Sequence, residues 1–136
     1  MFEEKVEIVR AQYASFSGLA EGPPNEIRSH VLSHFDPGCE YRPVEEIDAI
    51  LGHEALIEYW ERWLGAWSSF RVEAEEFIDA GEQLVAAAAT RGRGRTSGVE
   101  IRQRFFHVFE MHKGKILRQL ESLDRDAALQ VAGLSE

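Results

Sequence analysis

Phe70-Arg-Val-Glu-Ala-Glu-Glu-Phe-Ile-Asp-Ala-Gly81 marks a change of period in the chain. Before it, apolar residues recur every three or four positions. Within it, Phe70, Val72 and Ala74 alternate with Arg71, Glu73 and Glu75, the pattern of a strand with one buried face. The segment continues to Ile78 and stops at Asp79-Ala-Gly81, a hairpin signal. A second strand is expected from Leu84 to Arg93. Its run of Ala86, Ala87, Ala88 and Ala89 favours helix by propensity, but it lies between two turns and beside strand-type neighbours. Thr96-Ser97-Gly98 turns the chain into a long strand from Val99 to Met111, Lys113-Gly114 turns it again, and Lys115 to Leu123 completes an antiparallel meander. Asp124 is a suitable N-cap for a short helix through Ala132.

Upstream the readings are helical. From Glu3 to Phe16, Val6, Val9, Tyr13 and Phe16 form one stripe, and Gly18 ends it. Pro23-Pro24 opens a second helix whose apolar face is Ile27, Val31, Leu32 and Phe35, and Asp36-Pro-Gly38 breaks it. Cys39-Glu-Tyr-Arg-Pro43 is a short extended segment that its proline keeps from being a long central strand. Gly52 to Ala66 is a long helix on which Leu56, Tyr59, Trp60, Trp63, Leu64 and Trp67 spread an aromatic face, with Glu54, Glu58, Glu61 and Arg62 toward water. This order predicts an α+β fold, in which a curved antiparallel sheet wraps as a cone around the N-terminal helices and the long aromatic helix. A concave apolar pocket at the open mouth would hold a small molecule.

The chain of 136 residues is long enough for one core and short for two, so a single domain over 1–136 is expected. Its 44% hydrophobic and 29% charged residues place it among soluble globular proteins. A net charge of −9 repels phosphate backbones and anionic lipid, which argues against nucleic-acid and membrane partners, and no export or membrane segment is visible. Cys39 is the single cysteine, so no intramolecular disulfide forms and a cytoplasmic location is expected. Residues 36–82 hold thirteen acids and three bases, whereas residues 91–118 hold eight bases and two acids. A sheet that sets these blocks side by side would neutralise both. The arginines of Arg91-Gly-Arg-Gly-Arg-Thr-Ser-Gly98 are therefore expected to meet Glu73, Glu75 and Glu76 across the sheet or in a partner subunit. No helix follows this glycine-rich string, so it does not read as a phosphate cradle.

Several segments together carry a family likeness: Glu7-Ile-Val-Arg-Ala-Gln-Tyr13-Ala-Ser-Phe16, Tyr41-Arg-Pro43, Leu51-Gly-His-Glu-Ala-Leu-Ile-Glu-Tyr-Trp60, Glu76-Phe-Ile-Asp-Ala-Gly81, His107-Val-Phe-Glu-Met111 and Gly114-Lys-Ile-Leu-Arg118. They resemble the nuclear transport factor 2-like superfamily, and more narrowly its SnoaL-like branch of polyketide cyclases and ketosteroid isomerases. The resemblance implies the cone-shaped roll, also called cystatin-like, and a homodimer. Members include isomerases, cyclases, dehydratases, epoxide hydrolases and proteins without catalysis, so the fold alone leaves the reaction open. The isomerases' aspartate base falls at Arg42, just before Pro43, and an arginine accepts no proton. Their acid on the penultimate strand falls at His107, and their oxyanion-donating tyrosine is similar in position to Tyr13.

His107 is the strongest single candidate, either as an acid/base group or as a core or interface histidine with one hydrogen bond. Tyr13 is an oxyanion donor or a core aromatic whose hydroxyl reaches the rim. Arg42 either orients a carbonyl or anionic ligand or pairs with Glu40, Glu45 or Glu46, and the ion pair is favoured. Phe16, Tyr41, Trp60, Trp63 and Phe105 are candidate ligand contacts. Glu121 orients His107 if it faces inward, although the outward position is favoured. His30 and His34 lie one helical turn apart but lack a third ligand at metal-binding spacing, so no metal or cofactor is expected. Two functions remain: an isomerase- or cyclase-type acid/base catalyst on a small apolar carbonyl compound, or a non-catalytic ligand-binding or assembly module. An epoxide hydrolase is the weakest reading, because two inward aspartates cannot be placed.

Overall fold

The computed structural model describes residues 1–134. Helix α1 (Phe2–Phe16), a 3-10 turn (Leu19–Glu21) and α2 (Asn25–His34) lead into β1 (Phe35–Arg42), the two-residue β2 (Ile50–Leu51) and α3 (His53–Leu64). Strands β3 (Trp67–Ala80), β4 (Gln83–Gly94), β5 (Glu100–His112) and β6 (Lys115–Ser122) follow, and α4 (Arg125–Val131) is the last element. The α+β architecture is as expected. Its sheet, however, has six strands in the order β2-β1-β6-β5-β4-β3 and is mixed rather than antiparallel throughout, because β1 runs parallel to β6.

Phe35 begins β1 instead of extending α2. Pro37 disfavours helical backbone at Asp36, so the chain leaves the helix at His34, and Phe35 is already extended at φ −117 and ψ 142. The pairing with β6 slips between Phe35 and Glu40, which lets the sheet tolerate Pro37. Pro43 then lies just past the end of β1.

Register shifts curve the sheet. Along β3 the pairing passes from Ala74↔Ala88 to Glu76↔Ala87, which leaves Glu75 as an extra residue. The bulge reverses which side chains face inward. Phe70, Val72 and Ala74 face the helices, but beyond Glu75 it is Phe77 that packs into the main core, while Ile78 turns outward to the second cluster. Strict alternation to Ile78 therefore holds only to the bulge. On β4, Ala86 and Ala88 are fully buried on the inner face, where their small side chains leave room for α1. Gly92 is required for a similar reason: a Cβ there would stand 2.8 Å from the rings of both Phe70 and Trp67.

Two apolar layers result. The inner one joins α1, α2 and α3 to the concave face through Val9, Val31, Leu56, Phe35 and Phe109. The outer one is smaller, with Ala128 and Ala132 near α4 covering Val85, Ala87, Phe106 and Val108. Asp124 caps α4 by accepting from the Asp126 N–H. The charged blocks meet, though not at the pairs the hairpin suggested. Arg104 of β5 reaches Glu75 at 2.7 Å, past the small Ala89 on the strand between, and Arg125 reaches Glu76 at 2.9 Å. Arg93 pairs with Glu100, Arg95 donates to the carbonyls of Gly65 and Trp67, and Arg91 lies opposite Arg71.

His30 makes the inner layer sensitive to acid. It is 2% exposed, near the Phe16 and Phe35 rings, with Nδ1 2.7 Å from the Ser15 hydroxyl. Burial, and then the neighbouring His34, lowers its pKa from 6.5 to about 3. Between these values the unfolded chain binds the proton and the folded one does not, so this stability is complete above about pH 6.5 and is lost as pH falls toward 3. Acidification from pH 7.5 to 5 should remove about 2 kcal/mol through this group. Urea denaturation at the two pH values checks it: His30→Gln should flatten the difference, and an unchanged difference would assign the effect elsewhere.

Candidate functional site

Helices α1 and α3 and the concave sheet face surround a cavity of about 40 Å³, space for about three water-sized groups. Phe16, Trp60, Trp63, Phe70, Val72 and Phe105 form its apolar lining, and Tyr13, Gln12, Tyr41, Gln119, His107 and Glu121 supply most of the polar one. Glu45 and Tyr59 complete one side, where the Tyr59 hydroxyl donates to Glu45 at 2.7 Å.

His107 reaches the cavity because alternate residues of β5 face the same way. Phe105, His107 and Phe109 point to the helices, and Phe106 and Val108 point to the α4 layer. Register places Ala86 on one side of His107 and Glu121 on the other. The alanine leaves space above the imidazole, which Tyr13 of α1 fills. The Tyr13 hydroxyl lies 2.5 Å from His107 Nδ1, and Nε2 lies 3.0 Å from Glu121 Oε2. A carboxylate only accepts hydrogen bonds, so Nε2 carries the hydrogen in the neutral ring and Nδ1 accepts the phenol proton. Burial raises the Tyr13 pKa well above its ordinary value, and the charge on Glu121 raises it further, so Tyr13 remains a phenol. The three groups form one chain, Tyr13 to His107 to Glu121.

Glu121 faces inward, contrary to the favoured expectation. Burying a carboxylate is costly unless its oxygens are bonded. Here Oε2 also accepts from the Tyr41 hydroxyl at 3.4 Å, and Oε1 accepts from the Val44 N–H at 3.2 Å. Tyr41 is held as a phenol by its own burial and then by the Glu121 charge. Arg42 is the second correction. Alternation along β1 puts Tyr41 inside and Arg42 outside, where its side chain is 51% exposed and paired with Glu40. It contributes no cation to the cavity.

Gln12, Gln119, Tyr59 and Glu45 also line the site and were not among the sequence candidates. Gln119 had a readable signal, since it shares the face of Glu121 two residues away. Gln12 had one too, since it stands three residues after Val9 and four before Phe16, on the buried side of α1. Three buried polar atoms of lining residues, Gln12 Oε1, Gln119 Oε1 and Trp60 Nε1, have no hydrogen-bond partner among the described residues.

Residues 9–119 match the model of the SnoaL-like domain. The chain belongs to the SnoaL-like domain family. Solved structures agree with this placement. TerC co-crystallised with polyporic acid superposes with a TM-score of 0.73 at 22% identity, over 96% of this chain and 98% of that one. A protein assigned as a SnoaL-like polyketide cyclase from Jannaschia sp. CCS1 gives 0.74 at 16% identity, over 98% and 94%. A hypothetical protein with a ketosteroid isomerase-like fold from Catenulispora acidiphila DSM 44928, in complex with trimethylamine, gives 0.68 at 16%, over 94% and 93%. A search of curated proteins found no match. The SnoaL-like fold accounts for the curved mixed sheet, and at these identities the structural likeness concerns the fold alone. Among the described residues no helix is long and apolar enough to cross a membrane.

Proposed function

We propose that this SnoaL-like protein binds a small carbonyl compound in the cavity and catalyses isomerase- or cyclase-type proton transfer on it. The observation that carries the reading is the Tyr13–His107–Glu121 chain at the cavity wall. The Tyr13 oxygen presents free lone pairs to the ligand while its own hydrogen points at His107 Nδ1. A proton leaving the ligand enters at Tyr13, the phenol proton passes to Nδ1, and Glu121 stabilises the resulting imidazolium through Nε2. Reversal of the same steps returns the proton elsewhere on the ligand. Tyr13 is thus the contact group, His107 the proton store and Glu121 its positioning residue. Two similar structures hold small organic molecules, which supports a small-molecule ligand. The test is deuterium uptake from solvent at carbons beside the carbonyl, across a panel of small ketones. Exchange above the buffer rate is expected, and its absence for every ketone overturns the catalytic reading in favour of a binding module.

The reading includes a homodimer in the cytoplasm. Arg71, Arg91 and Arg102 lie side by side on the outer sheet face, two residues along the strands from Glu73, and a two-fold axis would set these arginines against the partner's acidic outer-face side chains. Light scattering should give twice the chain mass, and a monomer at micromolar concentration would refute it. The cytoplasmic placement draws its support from Cys39, which is buried and unpaired.

A further inference from the structure

Deepening the proposed function, and resting on its reading of Glu121 as the residue that positions His107, we infer that Tyr59 is a further positioning residue: through Glu45 it pins the turn at Pro43–Glu46, which keeps the Val44 N–H on Glu121. The Glu121 side chain is 10% exposed and has no lysine or arginine partner among the described residues. Its Oε2 accepts from His107 at 3.0 Å and from Tyr41 at 3.4 Å. Oε1 has the Val44 N–H, at 3.2 Å, as its one partner among the described residues. A carboxylate oxygen that loses its donor in a nearly dry site turns toward water, and the carboxylate then leaves the imidazole.

Packing does little to hold that amide in place. Residues 44–48 are all exposed, with Val44 at 41% and Ile47 at 97%, so apolar contacts do not fix this part of the connection between β1 and β2. Hydrogen bonds fix it instead. The Glu46 N–H donates to the Pro43 carbonyl at 3.4 Å and closes a four-residue turn with Val44 and Glu45 at its centre. These two residues reach different walls of the cavity: Val44 donates to Glu121 of β6, and Glu45 accepts from the Tyr59 hydroxyl of α3 at 2.7 Å. Tyr59 is a firm anchor for the turn. It is 5% exposed, and its ring packs edge-on against Tyr41 at 5.8 Å and Trp60 at 5.0 Å, which fixes the direction of the hydroxyl. Because Val44 and Glu45 are adjacent in one closed turn, the bond to Glu45 limits how far the Val44 N–H can swing away from Glu121. Support thus runs from α3 through the turn to β6, and it gives Tyr59 and Glu45 a part in a relay to which neither bonds directly.

Tyr59→Phe keeps the packed ring and removes only the hydroxyl, and Val44→Pro removes the N–H at a turn position that proline suits. Amide hydrogen exchange by NMR reads the pin, and kcat and KM for deuterium exchange into 2-butanone read its effect on the relay. Tyr59→Phe should speed exchange at the Val44 amide at least about tenfold and leave the Phe109 amide of β5 unchanged. It should also lower kcat about tenfold, the size of one lost hydrogen bond to a charged group, with KM kept within about twofold. Val44→Pro should lower kcat likewise. Glu45→Ala should match Tyr59→Phe in both measurements, and Glu45→Gln, which still accepts from the hydroxyl, should recover most of the loss. An unchanged Val44 amide in Tyr59→Phe overturns the pin. A faster amide with kcat intact, or an undiminished kcat in Val44→Pro, removes the turn from the relay, and a rise in KM alone makes Tyr59 a ligand contact; each overturns the inference. If the wild-type protein exchanges deuterium into no ketone, the proton-transfer reading falls by itself. The pin is then decided by the His107 Nε2–H resonance, which Tyr59→Phe should broaden or erase, and a resonance left sharp overturns it.

Discussion

A His107→Gln protein should keep its fold and lose about 10²–10⁴ in the rate of ketone deuterium exchange, the range typical of a positioned acid/base group. Glutamine suits the test because it preserves the contacts and removes the chemistry. Its amide N–H can still donate to Glu121, and its carbonyl can still accept from Tyr13, so the side chain, like the 5% exposed histidine, stays bonded at both ends. What is lost is a group that can hold a proton between those partners. Tyr13 alone does not replace it, because burial and the Glu121 charge raise its pKa and disfavour the phenolate. The measurement pairs exchange rates with thermal midpoints. A fall in rate at an unchanged midpoint supports the relay, and an unchanged rate removes His107 from it.

Period and turn chemistry made the fold legible. The change at Phe70, the glycine turns after Asp79 and Lys113, and the aromatic stripe from Leu56 to Leu64 each correspond to an observed element. Two features lay beyond local pattern. The parallel β1–β6 pair joins Tyr41 to Gln119 across most of the chain, and nothing in either segment names the other. The bulge at Glu75 swaps the faces of Phe77 and Ile78 within a run that alternates cleanly before it. The site shows the same division. His107, Tyr13 and the tryptophans stood out by type and position, because a histidine among phenylalanines on a strand is conspicuous. The outward position favoured for Glu121 gives way to an inward one. Its donors come from β5, β1 and the Val44 backbone, and only the assembled sheet brings them together. Arg42 failed for a simpler reason: once Tyr41 faces the core, its neighbour on the strand faces away.

Phe109→Ala should destabilise the protein by about 3–5 kcal/mol, a large part of the total that holds a small domain folded. Phe109 has no exposure and sits mid-sheet, opposite Leu84 on β4 and Gln119 on β6. Truncation opens a void in the inner layer, which the paired strands on both sides cannot close without breaking register. The ring also meets Tyr13 and His107 edge-on, at centroid distances of 6.0 and 5.6 Å, so the void lies beside the relay. Phe106→Ala on the outer layer provides the contrast, since that ring is 9% exposed and packs in the cluster with Ala128. Both substitutions should lower the urea midpoint. Exchange measured well below either midpoint should fall only for Phe109→Ala, and Phe109→Leu, which nearly keeps the volume, should recover most of it. If Phe106→Ala slowed exchange as much as Phe109→Ala, the relay would depend on general stability. If neither slowed it, the contact between Tyr13 and His107 would hold without the ring beneath it.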